Sequence, residues 1–204
     1  MNLLQDLDLM IAQADRDSES LNLKEHSTNV AKYSLLIFDN LPLYEKKLWD
    51  NVTRTQVYDA GMYHDIGKAF LVRFRAGLLD KKTFSALDKL NVQEHTTAGV
   101  VLLQMLTGDT KHIDDAYSDS YHLIRDACLY HHERIDGSGY LGIMHESIPR
   151  IGELVSVADC FSAGTEKRCY HDGKSWHDVI AELKEMPLSQ IYVNALERGL
   201  LKKG

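Results

Sequence analysis

Two short segments hold the residue types that metal chemistry needs. Residues 64–68 read HDIGK, and residues 131–140 read HHERIDGSGY, so that two adjacent histidines run into a turn that carries a tyrosine. Neutral imidazole and carboxylate groups suit iron, manganese or zinc, and a carboxylate can bridge two ions. Together the two segments predict a site that holds more than one divalent metal ion.

Only some of the ten histidines stand in a context that favours metal binding. His26 lies near the start of a predicted helix, His64 ends an apolar helix before a glycine turn, and His95 lies within a predicted helix. His131 and His132 close another predicted helix. The remaining histidines are interpreted as surface or hydrogen-bonded residues: His112, His122, His145, His171 and His177.

Asp159 is a further candidate ligand, because it follows Val157 and Ala158 in an otherwise apolar predicted helix. A carboxylate that is buried in such a place needs a cation or a network of hydrogen-bond donors. The candidate ligands are spread over several predicted helices. The core of a helical bundle can bring such side chains together.

Composition narrows the classes of protein to which the chain can belong. Its 204 residues suit one compact domain with short additions, and a net charge of −7 argues against coating nucleic acid or binding an anionic membrane. A phosphate-ester substrate would therefore need a metal centre for local positive charge. The three cysteines form no C-x-x-C pair, and their odd number does not favour a disulfide framework. The acidic N-terminus lacks the features of a signal peptide. No apolar run approaches the ~20 residues of a membrane span. We expect a cytoplasmic protein without membrane insertion.

Apolar residues recur at helical spacing along the chain, and no alternating strand pattern of useful length competes. We therefore predict an all-α fold. Helices are expected over 23–38, 53–65, 83–107 and 121–132, and again from Pro149, Trp176 and Pro187 onward. The polar segment 108–120 is predicted to be a mobile loop. Residues 1–20 are assigned to an N-terminal helical extension, and residues 21–204 to the main domain.

In chain order, the candidate ligands resemble the signature of a known family. A histidine–aspartate pair with two distant ligands is similar to the HD superfamily of metal-dependent phosphohydrolases, and the paired histidines and the Gly-Tyr turn narrow the similarity to the HD-GYP family. It runs from about residue 20 to about residue 171. The residues that carry it are His26, His64, Asp65, His95, His131, His132 and Asp159, with the segment DGSGY at 136–140. The resemblance implies a compact helical bundle of the HD type with a metal centre in its core cleft.

The activity that the resemblance implies is a phosphodiesterase that cleaves cyclic dinucleotides, above all cyclic di-GMP. Two divalent ions would be bound, iron foremost, with manganese or zinc as alternatives. A water that bridges them would lose its proton near neutral pH and attack phosphorus. One ion would be held by His26, His64, Asp65 and Asp159, and the other by Asp65, His95, His131 and His132, with Asp65 as the bridge.

The resemblance also implies residues that act on the substrate. Lys68, catalytic together with Asp65, would lie beside the scissile phosphate and neutralise charge on its oxygens. Gly139 and Tyr140 would line the substrate cleft, and the Tyr140 ring would offer a stacking face for guanine. Arg168 would suit bidentate contact with phosphate or guanine.

The chain departs from the family pattern at several positions. Leu141 stands where the family has proline after the tyrosine, which predicts a looser turn. Asn22 stands where some members have a glutamate that supports a third metal, so that two ions are expected here. Cys169 and His171 replace a proline and a basic residue, which predicts weaker or altered substrate affinity.

Two alternatives stay open. The histidine–aspartate pair alone also fits an HD hydrolase of another phosphate ester, although the paired histidines and the Gly-Tyr turn favour the first interpretation. The other hypothesis is a catalytically weak, metal-containing sensing or binding module. In that module the turn at Gly139 and Tyr140 would dock a protein partner, and in neither alternative is a nucleic-acid polymer expected as a ligand.

Overall fold

The computed structural model describes residues 3–108, 115–166 and 173–202. Within these ranges the chain consists of α-helices joined by turns and two short 3₁₀ segments, so that the predicted all-α fold is confirmed. None of these helices combines the length and the apolarity that crossing a membrane requires. The helices are α1 (Leu3–Asp17), α2 (Leu23–Asp39), α3 (Leu43–Lys46), α4 (Arg54–Tyr63), α5 (Gly67–Phe74), α6 (Ala86–Gln93), α7 (His95–Thr107), α8 (Asp115–Tyr130), α9 (Arg150–Thr165), α10 (Trp176–Glu185) and α11 (Gln190–Leu201).

Helices α2, α4, α8 and α9 form the centre of the bundle, since α2 and α8 each pack on both α4 and α9. Two apolar clusters flank this centre. The first contains Ile37, Val157 and Leu196, and it is completed by α10 and α11. The second contains Leu7 and Leu103, and it is completed by α1, α5 and α7. Burial of these apolar side chains is the main force that holds the four central helices together.

The N-terminal helix α1 shares a core with the rest of the bundle. Its buried residues are three or four positions apart and therefore lie on one face: Leu3, Leu7, Ile11 and Ala14. This face packs mainly on α5 and α2, and the hydroxyl of Tyr63 donates a hydrogen bond to Asp8 Oδ1 at 2.9 Å. The assignment of residues 1–20 to an extension stays a prediction.

Two predicted boundaries are wrong. The helix expected over 83–107 is split, because α6 ends at Gln93 and α7 begins at His95. The carbonyl of Val92 accepts hydrogen bonds from the Glu94 backbone and from His95 Nδ1, which closes α6 with a turn. The polar segment 108–120 is also not a loop throughout, since α8 already begins at Asp115.

The beginning of α5 is pressed against the beginning of α7. A Cβ atom on Gly67 would lie 1.9 Å from the carbonyl oxygen of His95, so that only glycine fits at this contact. The close approach places the turn between α4 and α5 beside the first residue of α7. The residues of that turn and His95 thereby become neighbours.

Candidate metal centre

The structure brings the seven predicted metal ligands into one cluster. Most of them lie at a helix end, where the chain turns, and four of them are at most 1% exposed: His64, Asp65, His95 and His131. Water is therefore largely excluded from the centre of the cluster. The ligands come from α2 (His26), the turn after α4 (His64 and Asp65), the start of α7 (His95), the turn after α8 (His131 and His132) and α9 (Asp159).

Asp65 lies at the middle of the cluster, and its two oxygens face different histidines. Oδ1 lies 3.2 Å from His95 Nε2 and 3.5 Å from His131 Nε2. Oδ2 lies 3.5 Å from His64 Nε2 and 3.8 Å from His26 Nε2. A carboxylate in this position can serve two ions, one through each oxygen.

Two groups of three ligands lie on either side of Asp65. The ligand atoms within each group are at most 4.8 Å apart. In one of the groups, His26 Nε2 lies 3.1 Å from Asp159 Oδ1. The groups are His26, His64 and Asp159 on one side, and His95, His131 and His132 on the other. With one oxygen of Asp65, each group offers four ligand atoms, which is a suitable number for a divalent transition metal.

Backbone carbonyls orient three of the imidazoles. His64 Nδ1 lies 2.8 Å from the Gly61 carbonyl oxygen, His95 Nδ1 lies 2.6 Å from that of Val92, and His131 Nδ1 lies 2.8 Å from that of Ala127. A carbonyl oxygen only accepts hydrogen bonds, so each Nδ1 carries the proton. In the neutral ring Nε2 then presents a lone pair, and in all three residues this atom faces Asp65.

The cluster gathers acceptors without enough donors. His95 Nε2 and His131 Nε2 are 3.3 Å apart, and His64 Nε2 and Asp65 Oδ1 are buried without a hydrogen-bond partner, although Oδ1 lies near two histidines. Lone pairs that face one another in this way are unfavourable, and buried polar atoms seldom stay unpaired. Divalent cations between these atoms would satisfy all of them, so the residues fit a metal centre.

The protonation states also suit metal binding. Burial lowers the pKa of His64 to about 3, and burial likewise lowers the pKa of His95 and of His132. Burial acts to raise the pKa of Asp65, but Lys68 and the neighbouring histidines outweigh it and hold this pKa well below its usual range. Neutral imidazole and ionised carboxylate are the forms that bind metal ions. His26 is the exception: burial acts to lower its pKa, but the hydrogen bonds to Asp159 and Glu166 outweigh burial and raise this pKa to about 9, so an ion must displace a proton from the ring.

Lys68 lies beside this centre rather than within it. Its ammonium group forms an ion pair with Asp65 Oδ2, one helical turn earlier, and its side chain is 23% exposed. The ion pair places a positive charge at the edge of the cluster, next to the carboxylate that faces both groups of ligands.

The turn after His132 is held by Glu133, whose role sequence reasoning missed. Glu133 is only 3% exposed, and its carboxylate accepts hydrogen bonds from the backbone N–H groups of Leu141, at 2.8 Å, and Ile143, at 2.9 Å. A Cβ atom on Gly139 would lie 2.5 Å from Glu133 Cα. The close approach at Gly139 therefore closes the turn on Glu133. The sequence feature that could have indicated this role is the position of Glu133 directly after the paired histidines.

Leu141 adds a contact to this turn, and the prediction that it loosens the turn relative to proline stays a prediction. The hydrogen bond from its N–H group to Glu133 needs a residue with a backbone donor, and proline has none. Tyr140 is 41% exposed, and one face of its ring stacks on His132, with the ring centres 4.4 Å apart. The turn thus packs against a candidate metal ligand.

A second residue that the sequence did not reveal is Glu166, which directly follows α9. Its carboxylate oxygens lie 3.1 and 3.2 Å from His26 Nδ1. Asp159, Ser162 and Glu166 are three and four residues apart, so they share one face at the end of α9. The spacing from Asp159 is the sequence feature that could have indicated a role for Glu166.

The other predicted positions divide into two sets. Arg168, Cys169, His171 and His112 lie outside the described residues. Asn22 precedes α2, and its side chain donates a hydrogen bond to Glu25. His122 and His177 are exposed, and His145 forms a hydrogen bond with Glu153.

Comparisons with known proteins agree with this geometry. A model of the HD domain family matches residues 23–193. The chain is 30% identical over 152 residues to a cyclic di-GMP phosphodiesterase of Thermotoga maritima, a match that covers 72% of this chain and 37% of the relative. It is 28% identical over 169 residues to 3'3'-cGAMP-specific phosphodiesterase 1 of Vibrio cholerae, covering 80% of this chain and 34% of that protein. The chain thus spans about a third of the length of these relatives.

A solved structure shares the fold. Bd1817, a HDG"Y"P protein from Bdellovibrio bacteriovorus, superposes with a TM-score of 0.61 and 18% sequence identity, over 90% of this chain and 53% of that one. The family match covers most of the chain, and it includes all seven of the clustered ligands. The chain therefore belongs to the HD domain family.

Proposed function

We propose that this chain is a metal-dependent phosphodiesterase that hydrolyses cyclic dinucleotides, with cyclic di-GMP as its main substrate. The observation that carries the proposal is the buried Asp65 carboxylate, each oxygen of which faces a separate group of ligands. The relatives that act on cyclic di-GMP and on 3'3'-cGAMP support the substrate class.

Two divalent ions, iron foremost and manganese or zinc as alternatives, fit the two groups of ligands. When bound, the pair of ions supplies an activated water near neutral pH and offsets the charge of the phosphodiester. The first ion is assigned to His26, His64, Asp65 and Asp159, and the second to Asp65, His95, His131 and His132.

The remaining roles fall to residues beside the ligands. Lys68 would bind a non-bridging phosphate oxygen and stabilise the charge that develops there. Tyr140 would contact a base with the part of its ring that His132 does not cover. Gly139 would act on the substrate indirectly, by allowing the turn to close on Glu133, and Arg168 would contact phosphate or guanine.

The identity of the dinucleotide is tested by competition. Protein purified without chelators is given cyclic di-GMP, 3'3'-cGAMP and a linear dinucleotide, and the products are separated by chromatography. We expect the highest kcat/KM for cyclic di-GMP. A higher kcat/KM for 3'3'-cGAMP would indicate that this compound, and not cyclic di-GMP, is the main substrate.

The role of the cluster is tested with matched histidine variants. His95→Ala should abolish turnover and lower the bound metal, because it removes a ligand of the second ion. His122→Ala removes an exposed histidine of α8 outside the cluster, so this control should retain both turnover and bound metal. Tight binding of cyclic di-GMP by the parent chain without turnover would refute the hydrolase and support a sensing module whose Gly139–Tyr140 turn docks a partner.

A further inference from the structure

His26 differs from three other candidate ligands in what holds its ring. Backbone carbonyls accept from Nδ1 of His64, His95 and His131. His26 Nδ1 instead meets the carboxylate of Glu166, which lies 140 residues away in the sequence. A side-chain carboxylate is thus the partner on the far side of this imidazole.

The contact fixes which nitrogen of His26 faces the cluster. A carboxylate accepts hydrogen bonds, so Nδ1 donates its proton to Glu166, and in the neutral ring Nε2 is left with a lone pair. Nε2 lies 3.1 Å from Asp159 Oδ1 and 3.8 Å from Asp65 Oδ2. The ring therefore presents its metal-binding atom between the two carboxylates of the cluster.

Glu166 is itself held in place from two helices. Ser162 Oγ, one turn earlier in α9, donates a hydrogen bond to Oε1, and Asn29 Nδ2 of α2 donates to the same oxygen at 3.3 Å. The Glu166 backbone N–H also bonds to the Ser162 carbonyl oxygen at 2.9 Å, where α9 ends. The side chain is 22% exposed, so its carboxylate is partly shielded from water.

We propose that Glu166 is a positioning residue, which holds His26 in the tautomer and orientation that bind the first metal ion. This inference rests on the proposed metal centre and adds a residue outside the set of ligands. Carboxylates that accept from a ligating histidine raise the basicity of the ring, and their loss typically weakens metal binding ~10–100-fold.

The test measures metal binding without any substrate. Metal-free parent, Glu166→Gln and Glu166→Ala proteins are titrated with Mn²⁺, and free Mn²⁺ is followed by its electron paramagnetic resonance signal. The parent should bind two ions. Glu166→Gln keeps an acceptor but loses the charge, so one of its two sites should weaken ~10-fold, and Glu166→Ala should weaken the same site by up to ~100-fold. The other site should keep the parent affinity in both variants.

Glu185→Gln is the matched control, because it removes an exposed carboxylate of α10 and should bind both ions as the parent does. If both Glu166 variants bind Mn²⁺ at both sites as tightly as the parent, the inference about Glu166 is overturned and the proposed function is not. Equal weakening of both sites, with a lower melting temperature of the metal-free protein, would also overturn the inference, since that pattern means a general loss of structure. A parent chain that binds no ion would overturn the proposed function as well.

Discussion

Replacement of Glu133 by glutamine tests how the turn that carries Tyr140 is held. The carboxylate of Glu133 accepts two backbone hydrogen bonds, from Leu141 and from Ile143, and it is almost fully buried. Glutamine has nearly the same shape but only one accepting oxygen. Its amide NH₂ group would face a backbone N–H, so that two donors would meet where one bond was made.

The size of the effect follows from these two bonds. A hydrogen bond to a charged group contributes about 1.5–3 kcal/mol, and a neutral one about 0.5–1.5 kcal/mol. Glu133→Gln loses one charged bond and converts the other to a neutral one, so the closed turn should be destabilised by about 2–4 kcal/mol. At 1.36 kcal/mol for each factor of ten, this raises the open population of the turn about 30- to 1,000-fold.

Amide hydrogen exchange reports this population directly. The amides of Leu141 and Ile143 should exchange about 30- to 1,000-fold faster in Glu133→Gln, while those of α4 and α9 keep their parent rates. Metal content should be unchanged, and kcat/KM for cyclic di-GMP should fall because Tyr140 is no longer held. Glu146→Gln, an exposed change in the 3₁₀ segment His145–Ser147, is the control and should alter neither the exchange rates nor kcat/KM.

Two results would refute this reasoning. If the two amides exchange at the parent rate in Glu133→Gln, the carboxylate does not hold the turn. If every amide of the protein exchanges faster to the same extent, Glu133 supports the whole fold, and the local account is wrong.

Three further predictions concern the cluster itself. Asp65→Ala should abolish turnover and remove most bound metal, as measured by elemental analysis, because one carboxylate serves both ions; unchanged stoichiometry would disprove the bridge. Lys68→Ala should keep both ions but slow turnover ~10²–10³-fold, and a parent rate would reduce Lys68 to a helix-end charge. Asn22→Glu should add a third, weaker ion, because the new carboxylate lies one turn before His26 and beside Glu25, and it should increase hydrolysis of a linear dinucleotide. Three ions in the parent, or no change in the variant, would contradict this.

The candidate ligands could be predicted from the sequence because their residue types are rare in that arrangement. A His-Asp pair at the end of an apolar helix and two adjacent histidines before a glycine turn are local patterns, visible without knowledge of the fold. Asp159 stood out for a related reason, since a charge within an apolar helix needs a partner. Periodicity predicted helices whose bundle could bring these residues together, and the resemblance to the HD-GYP family implied that they form one metal centre.

The supporting residues could not be predicted in the same way. Glu166 acts on a histidine 140 residues away, and Glu133 acts on backbone groups that approach it only when the turn closes. The position of Glu133 after the paired histidines and the spacing of Glu166 from Asp159 place both residues near ligands, but neither pattern reveals which group each carboxylate contacts. The break between α6 and α7 was missed because His95 fits the helical pattern on both sides, and only its ring contact with Val92 reveals the turn.

The cluster draws on five helices that are far apart along the chain, namely α2, α4, α7, α8 and α9. Two ions bound there would together cross-link these helices. Since an unfolded chain has no such site, the free energy of binding would be added to the free energy of folding. Metal starvation would then do more than stop a reaction. It would raise the unfolded fraction that proteases remove, so that the amount of this protein in a cell would follow the supply of its metal.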